Sequence, residues 1–284
     1  MGDLQHDTEV TGGDGRYRAT LEPAWEIWGP MGGYAAGLAL RAAGVHCGRA
    51  RPASITCHFV GGVGSGPVEV DVETVRATRV ATSCSVTVRQ GDRTGYRALV
   101  WGVDELAGLE HHTDRRPPAS GPPEELPSVA DLLTDVEGEA PHPFWANLDV
   151  RPLRWIDDFD QRVPGEPISE AWYRFVPRES FDDPWVDAVR SLILIDLDSW
   201  SATLAAQPPG VPYYAPTIDL TAQFLGDAWG EPWLRAWAEA PVAAHGLVAH
   251  RGEVWTPSGR LVATGGSTLL SRPDSRRPDR APEG

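Results

Sequence analysis

An aspartate stands inside a run of leucine and isoleucine at SLILIDLDSW (191–200), and that placement is the strongest chemical signal in the chain. On a wheel at about 100° per residue, Trp185, Val189, Leu192, Ile193, Asp196, Trp200 and Thr203 share one side of a helix. Asp187, Ser191, Asp198 and Ser201 fall opposite, within about 60° of one another, with Arg190 at their edge. Asp196 is thus the only charged residue on the apolar side, and Asp198 points nearly the reverse way. The two carboxylates therefore do not form an acid–base pair. Unpartnered burial of a carboxylate is costly and raises its pKa towards the range where it exchanges protons near neutral pH. The alternative at this point is structural: Asp196 accepts hydrogen bonds from a loop or pairs with a buried arginine.

Other candidate groups are weaker. GPMGGYAAGLALRAAG (29–44) reads as another helix, and the N–H groups near Gly29, Gly32 and Gly33 are the kind a developing oxyanion needs. A Gly-Gly at a helix start serves close packing equally well. That helix carries no acid through its GGYAAGLALRAA stretch, so the acid on the later helix points to a single site in the second half. HFVGGVGSGP (58–67) fits HxxxGxxxxP, the histidine motif of polyketide dehydratases. Here, however, His58 follows the first helix instead of preceding it, and Trp200 stands where those enzymes carry glutamine. His111-His112 with Asp114 in an acidic loop reads as solvated, and Asp157, Asp158 and Asp219 read as loop or strand-edge carboxylates. GxSxG and HExxH are absent from the sequence.

The elements that must position these groups follow from pattern and composition. The chain has 284 residues, 41% apolar and 23% charged, enough for one large or two modest domains with a sizeable core. A net charge of −15 argues against nucleic acid or an anionic membrane surface as partner. Cys47, Cys57 and Cys84 show no CxxC spacing and read as reduced thiols. No long apolar span or signal-peptide pattern occurs, so a cytoplasmic location is expected. Residues 1–16 read as a flexible N-terminus, 17–103 and 143–272 as two domains, 104–142 as an acidic proline-rich linker and 273–284 as a disordered tail. Asp183 and Pro184 suit the cap and first residue of a long helix running to about Ala206.

The two domains repeat. Each reads strand, helix, then four strands, and FVGGVGSGP lies over FLGDAWGEP at a constant offset. One helix and about five antiparallel strands per half predict an α+β double hotdog, in which each sheet wraps around a central helix.

At the level of motifs the chain resembles the acyl-CoA thioesterase II (TesB-like) family. The resemblance rests on GPMGGYAAGLALRAA, HFVG and PVEVDVETVRATR in the first half. In the second it rests on LILIDLDSW, TIDLTAQF and SGRLVATGG closing with Arg272. It implies hydrolysis of acyl-CoA or carrier-bound acyl thioesters with no cofactor and no metal, and commonly a homodimer. It also implies a reactive water held by an aspartate, a threonine and a glutamine, positions that fall on Asp196, Thr217 and Ser267. Serine at the third position is a departure, being too short to reach the same water unaided. Arg76 and Arg79 match a family pair without its intervening glycine. Trp185 and Trp200 are expected to line an acyl slot beside Gly32 and Gly33. Rival readings are a hotdog dehydratase, which requires His58 beside Asp196, and a non-hydrolytic acyl-binding protein.

Overall fold

The computed structural model describes residues 1–112, 121–133, 142–155 and 161–274. Its centre is a pair of helices, α2 (Gly32–Cys47) and α4 (Pro184–Leu197). Small residues on one stripe of α2 let them meet at backbone distance. A Cβ on Gly33 would lie 2.7 Å from Ile193 Cα, one on Gly37 2.4 Å from Val189 Cγ1, and one on Gly44 2.5 Å from the Trp185 ring. Contacts that advance along α2 while retreating along α4 make the pair antiparallel. Asp183 caps α4 by accepting from Trp185 N–H at 2.8 Å, and Gly48 at φ 60° closes α2 in the left-handed region.

The sheet follows the hydrophobic alternation. The first half contributes β1 (Thr11–Gly13), β2 (Arg16–Leu21), β3 (Arg51–Phe59), β4 (Gly66–Ala77), β5 (Ala81–Gln90) and β6 (Arg93–Val103). The second contributes β7 (Leu148–Pro152), β8 (Ile168–Phe175), β10 (Thr217–Phe224), β11 (Trp233–Ala244), β12 (Leu247–Trp255) and β13 (Leu261–Leu270). A separate ribbon joins β9 (Tyr213–Tyr214) to β14 (Arg272–Pro273). The twelve strands run β1-β2-β4-β5-β6-β3-β10-β13-β12-β11-β8-β7, all described pairs being antiparallel. The two wrapped sheets are therefore one, joined edge to edge where β3 pairs with β10. Inward residues such as Val70, Val86, Ile55, Leu220 and Ala263 are fully buried against the helices. This is a double hotdog.

Three features differ from the sequence reading. The long helix breaks at Asp198 into α4 and the short α5 (Ser199–Ala205), where Ser199 Oγ donates to the Asp196 carbonyl at 2.9 Å. Residues 1–16 are structured: Asp3 caps a helical turn, α1 (Leu4–Asp7), that drives Leu4 into the core, and Asp7 accepts from the Trp25 indole at 2.9 Å. Leu4, with Val10 partly buried against the same core, anchors a polar stretch, a signal too sparse for periodicity to register. Within 104–142, the turn α3 (Val129–Leu132) carries a capping box, and Arg151 on β7 donates to the Leu126 carbonyl at 2.6 Å. The expected disorder at 275–284, and the readings of Asp114, Asp157 and Asp158, lie outside the described residues.

The helical wheel also separated two faces of α4 that are both buried, since every residue from Trp185 to Leu197 is buried. On the second face Arg190, with no exposed surface, pairs with Asp187 and donates to the carbonyls of Glu179, Glu231 and Ala228. Asp187 also accepts from Ala228 N–H at 2.9 Å. Arg190→Met would strand the Asp187 charge and is expected to cost about 3–5 kcal/mol in urea unfolding. The double variant with Asp187→Asn should recover much of that loss; no recovery would contradict the pairing account.

Candidate active site

Asp196 sits in the last turn of α4 where that helix meets the start of α2. Its Oδ2 accepts from Gly33 N–H at 2.8 Å, and its Oδ1 accepts from Thr217 Oγ at 2.8 Å. The first donor comes from one half of the repeat and the second from the other. Only 6% of the residue is exposed, and burial raises its pKa from 3.8 to about 6, against the opposing pull of the Thr217 and Gly33 hydrogen bonds. The positive end of α2 also faces the carboxylate and favours its ionised form. A Cβ on Gly32 would fall 2.6 Å from Asp196 Oδ2 and 3.4 Å from Phe59 Cζ, so glycine leaves the carboxylate a clear flank. Cys57 points inward from β3, near enough that the Asp196 charge adds to burial in raising its thiol pKa.

The loops that supply Gly32 and Thr217 touch through an aromatic pair absent from the sequence reading. The rings of Trp28 and Tyr214 meet edge-to-face at 5.6 Å, and Trp28 is exposed. Each aromatic stands shortly before a proline, Pro30 and Pro216, which is the signal that could have marked them as rim residues.

The remaining candidates are distributed unevenly. Gly33 N–H, expected to face an oxyanion, is directed at Asp196, while Met31 N–H donates to the Trp25 carbonyl at 2.9 Å. Trp185 belongs to the core: its indole N–H donates to the Arg49 carbonyl at 2.9 Å. It lies eleven residues before Asp196, about 16 Å along the helix. Trp200, half-buried on α5, packs on a small cluster that includes Ala202, Ala215 and Leu269. Arg76 and Arg79 are exposed around the β4–β5 turn. Arg49, just beyond the far end of α2 from Gly33, donates to the Thr78 and Arg79 carbonyls and holds that turn there. The structure thus brings Asp196, Thr217, Gly32 and Gly33 together and leaves Trp185, Arg76 and Arg79 elsewhere.

Ser267 is buried on the inner face of β13, and its Oγ lies 3.1 Å from His250 Nδ1 on β12. His250 was not singled out from the sequence, although Val248, His250, Gly252 and Val254 alternate on one face. His58 is exposed and alternates with the inward Cys57 and Phe59, so the sheet separates it from Asp196. Asp198 is a second buried acid: it accepts from Tyr173 Oη at 2.7 Å and Ser169 Oγ at 3.2 Å, and burial raises its pKa to about 6. A trough of about 600 Å³ opens on the other face of the sheet, lined by outward residues including Asp219, Thr221, Gln223 and Glu253. No group of three or more potential metal-ligating side chains occurs among the described residues. None of their helices is long and apolar enough to cross a membrane.

The fold and this seam-bound carboxylate define a double-hotdog protein of one chain. The acyl-CoA thioesterase N-terminal domain family matches residues 21–103, and the acyl-CoA thioesterase C-terminal domain family matches residues 123–269. The chain belongs to the acyl-CoA thioesterase family. No curated protein matches it in sequence. A hot dog protein from Alicyclobacillus acidocaldarius superposes with TM-score 0.76 at 21% identity, covering 95% of this chain and 98% of that one. Acyl-CoA thioesterase II TesB2 from Mycobacterium marinum gives 0.75 at 19% identity, covering 96% and 100%. The PpsC dehydratase domain from Mycobacterium tuberculosis gives only 0.52 at 14% identity, covering 94% and 99%. At these identities the likeness is one of fold.

The raised pKa has a consequence for stability. A carboxyl with folded pKa about 6 against 3.8 contributes stability that is complete below about pH 4 and is lost as pH rises through 6. Asn can accept from Gly33 and donate to Thr217, as the protonated acid would. Asp196→Asn is therefore expected to stabilise the protein at pH 8 by up to roughly 3 kcal/mol, the gain vanishing near pH 4. Urea midpoints at pH 4, 6 and 8 check this; a pH-independent difference would contradict it.

Proposed function

We propose that the protein hydrolyses acyl thioesters, acyl-CoA or a carrier-bound acyl chain, with Asp196 as general base. The observation that carries this reading is the sheltered carboxylate held by donors from both halves, with a pKa about 6. A base tuned close to working pH combines a useful ionised fraction with real proton affinity.

In the proposed reaction Asp196 takes a proton from water as the water oxygen bonds to the thioester carbonyl carbon. The tetrahedral intermediate then collapses, the C–S bond breaks, and the thiolate takes the proton back from Asp196. A carboxylic acid and a thiol leave. Thr217 and Gly33 keep the carboxylate aimed, and Gly32, next in the turn after Met31, supplies the N–H for the thioester oxygen. Trp200 borders the acyl chain, while Trp185, Arg76 and Arg79 take no part in the reaction centre. A dehydratase reading would need His58 at Asp196 and has no such partner.

Free-thiol release from short, medium and long acyl-CoAs tests the proposal. Asp196→Asn is expected to lower kcat about 10²–10⁴-fold, whereas Asp198→Asn leaves it nearly unchanged. Release that survives Asp196→Asn would remove Asp196 as the base. In the wild type kcat/KM should fall on the acid side with an apparent pKa about 6, as the base becomes protonated. Thr217→Val removes a hydrogen bond that favours the ionised carboxylate, so the same limb should move to higher pH; an unmoved limb would contradict the Thr217 role. The serine at position 267 favours one second reading, a non-hydrolytic acyl-binding protein, which tight acyl-CoA binding without thiol release would support.

A further inference from the structure

Ser267 occupies a position where a longer side chain is expected, and the space it leaves is not empty of chemistry. His250 stands opposite it in the β12–β13 register, with Nδ1 3.1 Å from Ser267 Oγ. The imidazole is only 6% exposed, and burial alone pushes its pKa down to about 4, so it is neutral at physiological pH. Its other nitrogen, Nε2, is buried and has no hydrogen-bond partner. An unsatisfied buried nitrogen costs about 1–3 kcal/mol, a cost that a bound hydrogen-bond donor at Nε2 would relieve.

The position of the ring says where that nitrogen is presented. A Cβ on Gly252, the next inward residue of β12, would lie 3.4 Å from His250 Cε1 and 3.3 Å from the Ile195 carbonyl. The ring edge between the two nitrogens thus lies against Gly252, and the same glycine meets the α4 backbone at Ile195, the residue before Asp196. Ser267 holds one nitrogen on the strand side, and the other stays buried and unpartnered near the Gly252–Ile195 contact. Ser199, buried at the start of α5, is occupied in donating to the Asp196 carbonyl.

We propose that His250 and Ser267 act as one unit in the third position of the water site, Ser267 fixing the ring and Nε2 holding the reactive water. This rests on the Asp196 reading above. In the tautomer this requires, Nδ1–H donates to Ser267 Oγ and Nε2 accepts from the water, while Asp196 accepts the water's other hydrogen. Both hydrogens are then held, and a lone pair of the water oxygen is turned to the thioester carbon. The serine–histidine pair thereby spans, in two side chains on adjacent strands, the reach of one longer amide.

Kinetics and NMR together test this. His250→Phe keeps the volume but removes both nitrogens, and is expected to lower kcat about 100-fold with KM within about 3-fold and no loss of thermal stability. His250→Gln, which returns a polar group near Nε2, should retain activity within about 10-fold of wild type. A core histidine would give the opposite pattern, with stability lost and kcat kept. The second readout needs no turnover: the ¹⁵N resonance of His250 Nε2 should shift when wild-type protein is saturated with a non-hydrolysable ketone analogue of acyl-CoA. Full kcat in His250→Phe, or an Nε2 signal unmoved by bound analogue, would overturn the inference while leaving Asp196 as base. A wild type that neither releases thiol nor binds the analogue would overturn both.

Discussion

A carboxylate is held inside an apolar seam by one backbone N–H from the opposite helix and one hydroxyl from the neighbouring strand. Most of the architecture around Asp196 reads as what that arrangement requires. The N–H must come from a helix start, because only there is the backbone donor not already committed within the helix. The helix start must approach α4 at backbone distance, which the glycines of α2 permit at Gly33, Gly37 and Gly44. Dispersion and apolar burial along this antiparallel contact offset the cost of leaving one acid out of water.

The same seam explains why the molecule has two unequal halves. Each half offers a helix and a curved sheet, and β3 pairs with β10 so that the sheets continue into one another. The acid belongs to the second helix, the N–H to the first, and the threonine to the strand at the junction. Neither half alone can assemble the three. Polar groups elsewhere on α4 are satisfied separately, Asp187 by Arg190 and Ala228, Asp198 by Tyr173 and Ser169. Of these buried acids, Asp196 is the one beside a half-buried glycine, under loops that meet at Trp28 and Tyr214.

Much of this was legible beforehand because the relevant signals are periodic or local. The strands alternate, Asp183-Pro184 marks a helix start, and one charge among apolar residues on a wheel marks Asp196. What escaped depends on long-range packing. A wheel separates faces but not their burial, so the Arg190–Asp187 pair and Asp198 read as an ordinary polar side. Trp185 shares its side of the helix with Asp196, yet eleven residues of rise carry it to the opposite end of the seam. Leu4 enters the core from a polar segment that Trp25 and Tyr34, far along the chain, tie down through hydrogen bonds to Asp7. His250 lies in an ordinary strand, and its partner Ser267 is recognisable only once β12 and β13 are in register.

The account stands on the proton affinity of one side chain. A ¹³C NMR titration of the Asp196 carboxyl, assigned by its loss in Asp196→Asn, measures it directly. A midpoint about 6 is predicted. A midpoint at the ordinary 3.8 would mean that the carboxylate is a structural hydrogen-bond acceptor and not a base.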